Sequence, residues 1–137
     1  MKKILFSLIA STFILSVKAQ KVDTIRTKED DDKIFAAVEH PPEFPGGQSA
    51  FNHYLQRTIR YPGVAAENRT QGRVILSLIV EKDGSLSSIK VVHSVSPEID
   101  AEALRVMSQS PKWKPAMQNG HLVRMFWSVP ISFTLAN

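Results

Sequence analysis

Glycine and proline residues recur along the chain between Phe44 and Phe133 and separate its patterned stretches. Both residue types interrupt regular structure, so their order limits where helices and strands can lie. The stretches between them carry either a helical or an alternating apolar pattern, which predicts a small domain that mixes helices and strands. Six marker segments of this series contain glycine or proline, and a seventh, Ile99-Asp100-Ala101-Glu102-Ala103-Leu104, contains neither. The six are, in chain order, Phe44-Pro45-Gly46-Gly47, Tyr61-Pro62-Gly63-Val64-Ala65, Gly72-Arg73-Val74, Lys82-Asp83-Gly84, Pro111-Lys112-Trp113-Lys114-Pro115-Ala116 and Gly120, and the seventh lies between Gly84 and Pro111.

Two stretches have apolar residues at helical spacing. The first helix is expected to begin after Gly46-Gly47 and to end before Pro62, because the residue before a proline avoids the helical region. One further short turn is expected over residues 64–66. The second helix is expected to begin at Ser96-Pro97, where serine can cap and proline fits the first helical position, and to end at Pro111.

Three stretches are predicted to be strands, at residues 73–81, 86–95 and 123–133. The first two are joined by Lys82-Asp83-Gly84-Ser85, a hairpin turn in which glycine supplies the positive φ. The third strand alternates along its whole length. Its apolar face comprises Val123, Met125, Trp127, Val129, Ile131 and Phe133, and its other face comprises Arg124, Phe126, Ser128, Pro130 and Ser132.

Pro130 indicates that the third predicted strand lies at an edge of the sheet. Proline cannot donate a ladder hydrogen bond, so within a sheet it belongs on an edge or at a bulge. A helix joins the second and third strands, which favours a right-handed crossover between parallel strands, and the first strand then lies between them. We therefore predict an α+β fold with a three-stranded antiparallel sheet in the order 2-1-3 and both helices packed on one face.

The N-terminal residues have the pattern of a secretory signal peptide. Lys2 and Lys3 precede an apolar run of 14 residues, and Val17-Lys18-Ala19 has the pattern of a small-residue cleavage site. The alternative is a retained membrane anchor, although a spanning helix needs about 20 apolar residues. We expect a signal peptide at residues 1–19, an acidic flexible arm at residues 20–43 and a folded domain at residues 44–137.

No arrangement of residues in the sequence is typical of an active site. The chain has no cysteine and no Gly-x-Ser-x-Gly motif, and its four histidines lack metal-ligand spacing. Its charges form no basic stripe with interleaved aromatic residues that would suit a nucleic acid. We expect neither catalysis nor a cofactor, metal, nucleic-acid or small-molecule site, and we expect Trp113 and Trp127 to pack in the core rather than stack on a ligand.

The series of markers from Phe44 to Phe133 resembles the C-terminal domain of TonB, the periplasmic end of an energy transducer that contacts outer-membrane transporters. In that family the last strand pairs with a short transporter peptide, the TonB box. The resemblance implies the same pairing here, because an edge strand presents unpaired N–H and C=O groups to which an extended peptide can add. The residues that match this partner-binding role are Arg124, Phe126, Ser128 and Ser132 on the outward face, together with Arg60 and Tyr61 beside Pro62.

The resemblance implies a stand-alone periplasmic binding module that recognises a transporter peptide or another periplasmic protein by strand addition. The alternative is a minimal energy transducer that keeps residues 1–19 as an inner-membrane anchor. A generic domain of this fold would instead protect the edge, since Pro130 removes a donor and Arg124 places a charge there. Dimerisation through the same edge stays open as a further use of the strand.

We predict that the mature protein begins at or near Gln20 and is periplasmic, because the apolar run is short and is followed by a cleavage site. The intact mass of the native protein, purified from cell fractions, checks this expectation. A mass that includes residues 1–19, recovered from the membrane fraction, would contradict it.

Overall fold

The computed structural model describes residues 28–137, without the side chains of residues 29 and 30. The predicted signal peptide and the first part of the predicted arm lie outside the described residues. The elements in chain order are α1 (Lys28–Asp32), β1 (Ile34–Phe35), α2 (Gly47–Thr58), α3 (Gly63–Glu67), β2 (Gly72–Val80), β3 (Leu86–His93), α4 (Pro97–Ser108), β4 (Ala116–Gln118) and β5 (His121–Phe133).

The centre of the sheet has the predicted order. β2 lies between β3 and β5 and is antiparallel to both. Its ladder with β5 is regular from the pair Gly72–Phe133 to the pair Val80–Met125, whereas its register with β3 shifts twice. Ser88, near the second shift, has a φ of 48°. Such bulges turn neighbouring side chains to unexpected faces, which explains the unclear alternation of β3 in the sequence.

The sheet as a whole is mixed, so the prediction of three antiparallel strands was incomplete. β1 pairs in parallel with β5, with Ile34 opposite Arg124 and Phe35 opposite Met125. β4 pairs with the beginning of β5 as a hairpin closed at Gln118 and His121. β1 has two residues and β4 three, and a segment of that length is too short to display an alternating pattern.

One apolar core joins the two long helices to a single face of the sheet. Phe51 and Tyr54 of α2 and Ile99, Ala103, Val106 and Met107 of α4 are buried together with alternate residues of β2 and β5. The first turn of α4 is capped as predicted, because the Ser96 hydroxyl accepts from the N–H of Ile99 at 3.2 Å. Both helices therefore cover the same face, as the sequence predicts.

The connection from α4 to β4 is held by Trp113, which is buried as predicted. Its ring contacts Phe44 and Phe51, with centroids 5.7 Å away in each case. Its backbone N–H donates to the carbonyl of Gly84 at 2.8 Å. The hairpin turn between β2 and β3 and the α4–β4 connection are thus joined directly, and a Cβ on Gly84 would lie only 1.9 Å from the Trp113 carbonyl oxygen.

Residues of the predicted arm also contact the rest of the chain. His40 forms a bridge with Met117 and Glu43 with Lys114, each through two backbone hydrogen bonds. Phe35 and Val38 pack against a small buried cluster of Ala116, Val123 and Met125. The domain boundary at Phe44 stays a prediction, and contacts are present on both sides of it.

Three glycine substitutions should separate steric from backbone effects. Gly84→Ala should cost about 2 kcal/mol or more of unfolding free energy, because a Cβ would collide with the backbone of Trp113 and φ is +85°. Gly120→Ala should cost about 1–2 kcal/mol, since φ is +75° but the space around it is open.

Gly63→Ala is the matched control, because nothing lies within 4 Å of its added Cβ and φ is not positive. It should be neutral, or stabilise by about 0.4–1 kcal/mol. Urea unfolding of the three variants measures whether their unfolding free energies follow this order, with Gly84→Ala the lowest and Gly63→Ala the highest. A Gly84→Ala variant as stable as Gly63→Ala would show that the turn does not touch Trp113.

Candidate functional site

The outer edge of β5, on the side away from β2, is the candidate site. Pro130 lies opposite Ile75 within the uninterrupted β2–β5 ladder. Opposite residues in an antiparallel ladder alternate between pairs that exchange two hydrogen bonds and pairs that exchange none. Pro130 has no N–H, so its pair is of the second kind. The backbone polar groups of the even-numbered residues of β5 therefore point away from β2.

β1 covers only the first part of this outer edge, at Arg124 and Met125. Within residues 28–137, no strand pairs with the outer edge of β5 from Ser128 to Ser132. The outward N–H groups of Ser128 and Ser132, and the carbonyls of the same stretch, therefore lack a strand partner. An extended peptide could add to this stretch through main-chain hydrogen bonds.

The predicted side chains of β5 lie along one face of the strand. Phe126 is 47% exposed, which is unusual for a large apolar side chain, and Ser128 and Ser132 are exposed as well. Arg124 differs from them because it is engaged within the chain. Its guanidinium bonds to both carboxylate oxygens of Glu81, at 2.6 and 3.0 Å, and its Nη1 donates to the carbonyl of Asp32 at 2.9 Å.

The other two predicted residues take different positions. Tyr61 packs its ring edge-on against Phe133, with centroids 5.9 Å apart, and its hydroxyl donates to the carbonyl of Thr70. It therefore borders the C-terminal end of the open edge. The side chain of Arg60 is exposed, and its backbone N–H donates to Glu102 at 2.7 Å. Of the two residues, only Tyr61 lines the hollow beside Ser132.

Two hollows follow the open edge between α2 and β5. The first has a volume of about 360 Å³ and lies beside Ser128 and Pro130; the second has about 420 Å³ and lies beside Pro130 and Ser132. The residues of α2 that line them are Gln48, Phe51, Asn52, Leu55 and Gln56. Sequence reasoning missed this contribution, because only the apolar stripe of α2 was considered. The polar residues Gln48, Asn52 and Gln56, spaced four apart, were the available signal.

Trp127 belongs partly to the core and partly to the edge. It is half-buried, packs against both apolar clusters and lines the first hollow and another hollow formed around His40 and Pro41. The prediction of core packing is therefore correct in part. The rest of the side chain lines hollows beside the open edge of β5.

The ion pair of Arg124 with Glu81 is the main charged contact at this end of β5. Hydrogen bonds from Arg124 hold the pKa of Glu81 below its usual value, while partial burial acts in the opposite direction and Ser87 adds a smaller lowering effect. The pair is bidentate and partly shielded from water, since the side chain of Arg124 is 25% exposed and that of Glu81 is 23% exposed. Such geometry strengthens an ion pair relative to a single exposed contact.

No group of three or more potential metal ligands occurs among residues 28–137. The same part of the chain has no helix that is long and apolar enough to cross a membrane.

The stability of the protein should depend on the ionisation of Glu81. The lowered pKa means that its carboxylate contributes stability that is fully present above the unfolded pKa of about 4.3 and is lost as pH falls through the folded value. Glu81→Gln should therefore lower the unfolding free energy at neutral pH and change it little at about pH 3.

Urea unfolding at several pH values measures this dependence. Glu67→Gln is the control, because Glu67 is exposed and no ion pair of it is found in the described part of the chain. A loss of stability in Glu81→Gln that is equally large in acid and at neutral pH would contradict the role of the carboxylate.

Comparison with known proteins places the chain in a family. The family model described as the C-terminal domain of Gram-negative bacterial TonB protein matches residues 57–135, which is more than half of the chain. Protein TonB of Haemophilus influenzae is 33% identical over 118 residues, covering 84% of this chain and 42% of its own length. Protein TonB of Neisseria gonorrhoeae is 35% identical over 79 residues, covering 55% of this chain and 24% of its own length.

Two solution NMR structures of the C-terminal domain of Helicobacter pylori TonB are also similar to this chain. The longer one has a TM-score of 0.45 and 24% identity and covers 68% of this chain and 88% of its own. The shorter one has a TM-score of 0.47 and 20% identity, and it covers 63% of this chain and 90% of its own. The chain spans less than half the length of the two TonB relatives. From the match over residues 57–135, the chain belongs to the TonB C-terminal domain family.

Proposed function

We propose that this chain is a periplasmic TonB-like binding module that takes part in TonB-dependent transport. It recognises a peptide of an outer-membrane transporter, or another periplasmic protein, by adding the partner as a strand to β5. The observation that carries this proposal is the open outer edge of β5 from Ser128 to Ser132, where the even-numbered residues point their backbone groups outward. Membership of the TonB C-terminal domain family supports the same role.

In this proposal the main chain supplies affinity and the flanking side chains supply selectivity. Phe126 offers an exposed ring to the partner, and Ser128 and Ser132 leave room for the close approach of a strand. Tyr61 borders the end of the site, and Arg124 borders its beginning. The exposed side chain of Arg60, next to Tyr61 in the chain, is included as a further contact for the partner. The hollows beside α2 accept alternate side chains of the partner.

The work of the domain is binding rather than catalysis, since TonB proteins form a family of energy transducers and binding proteins. The second candidate function is a minimal energy transducer in which residues 1–19 stay as an inner-membrane anchor. That candidate requires the apolar run of 14 residues to stay in the membrane, although a spanning helix needs about 20 apolar residues. The intact mass of the native protein separates the two candidates.

Proline substitutions on β5 test strand addition directly. Ser128→Pro and Ser132→Pro each remove one outward N–H and should leave the β2–β5 ladder intact. We expect peptide binding to weaken about tenfold or more for each variant, because a lost main-chain bond and a ring on the edge both oppose pairing. Ser128→Ala and Ser132→Ala are the matched controls, and they should bind within about twofold of the original chain.

The binding assay uses synthetic peptides from the N-terminal segments of outer-membrane transporters of the same cell, with amide chemical shifts of β5 as the readout. Circular dichroism confirms that each variant is folded. Ile131→Pro is a second control, because Ile131 points its N–H at β2, and this variant should lose stability. If amide chemical shifts change on another surface while those of β5 do not change, the edge is protected and the proposal is wrong.

A further inference from the structure

We propose that residues 31–35 are a resident segment that competes with the partner for the Arg124 end of β5. This inference rests on the proposed strand addition at β5. With the resident segment docked, a partner strand is confined to the stretch from Ser128 to Ser132. With the segment released, the edge is open from Arg124 onward.

The pairing of β1 supports competition for the same groups. Ile34 lies opposite Arg124 and Phe35 opposite Met125, on the side of β5 away from β2. Arg124 is even-numbered, so its backbone groups point to this outer side, like those of Ser128 and Ser132. The resident segment and an added peptide would therefore use one continuous edge, and they cannot both occupy the Arg124 end.

Charged groups hold the resident segment in place. Lys82 contacts the carboxylate of Asp31 at 2.9 Å, and the Arg124 guanidinium bonds to the carbonyl of Asp32 at 2.9 Å. Glu81 accepts two hydrogen bonds from the same guanidinium and orients it. The Asp31–Lys82 pair is half-exposed, so it is weak and sensitive to salt.

The resident segment can leave without disturbing the rest of the fold. β1 has only two residues, both half-buried, and Phe35 is its one side chain in an apolar cluster. The chain is anchored again at His40 and Glu43 by bridges to Met117 and Lys114. Neither bridge includes a residue of β5, and no residue of 31–35 takes part in the β2–β5 ladder, so that ladder stays complete when the segment leaves.

The first experiment locks the resident segment onto β5. The chain has no cysteine, so a single disulfide can be placed with Phe35→Cys and Met125→Cys, whose residues are directly opposite on neighbouring strands. Neighbouring strands are about 4.8 Å apart, within reach of a disulfide. The oxidised chain should bind the transporter peptides about tenfold more weakly than the same chain after reduction.

The second experiment releases the segment. Phe35→Ala should raise peptide affinity by about three- to tenfold, because the fraction of chains with a free edge rises. Lys82→Gln removes the contact with Asp31 and should raise affinity by at most about fivefold. Lys112→Gln is the matched control, because Lys112 pairs with Asp83 of the same turn and does not touch the resident segment.

The outcomes separate this inference from the proposed function. Tighter binding by Phe35→Ala and Lys82→Gln, with weaker binding by the locked chain, supports competition. Equal affinity of locked and reduced chains overturns competition and leaves strand addition standing, as does a disulfide that does not form in the folded chain. If no peptide binds to any variant, including the released ones, strand addition fails and competition fails with it.

Discussion

The geometry of β5 depends on a hydrogen bond that Pro130 cannot make. A proline in the middle of a 13-residue strand is compatible with a regular ladder only when its nitrogen faces away from the neighbouring strand. That single condition fixes the direction of all the backbone groups of β5 that pair with β2 or face away from it. Those of odd-numbered residues point toward β2, and those of even-numbered residues point away from it. The β2–β5 ladder accordingly runs without a bulge past Pro130. The register of β5 against β2 therefore determines both which side chains enter the core and which backbone groups form the open edge.

Much of the fold could be predicted from the sequence, because its elements are long and bounded by strong breakers. The helix from Gly47 to Thr58 and the capped start of α4 at Ser96 and Pro97 follow local rules of chain conformation. The central strand order follows from Pro130 and from the helical crossover. β1 and β4 could not be predicted, since their pairing depends on distant partners and their few residues carry no periodic signal.

The candidate site was predictable only in part. The alternation of β5 gives the face that carries Phe126, Ser128 and Ser132. It gives neither the engagement of Arg124 by Glu81, which directly follows β2, nor the hollows formed with α2. Sequence reasoning about Arg124 treated it as a free charge on an edge, whereas its pairing partner lies 43 residues away. Contacts of that range arise from the folded register and leave no mark in local spacing.

Chain connectivity sets the order in which a pull from the N-terminal side would reach the contacts of the domain. Going along the chain, tension meets Asp31 and β1 first, then the bridge at His40, then the bridge at Glu43, and only afterwards Phe44 in the core. The short β1 pairing would therefore yield under load before the nine-pair ladder between β2 and β5. Mechanical load on the N-terminal segment and access to the beginning of β5 are thereby linked through covalent connectivity alone.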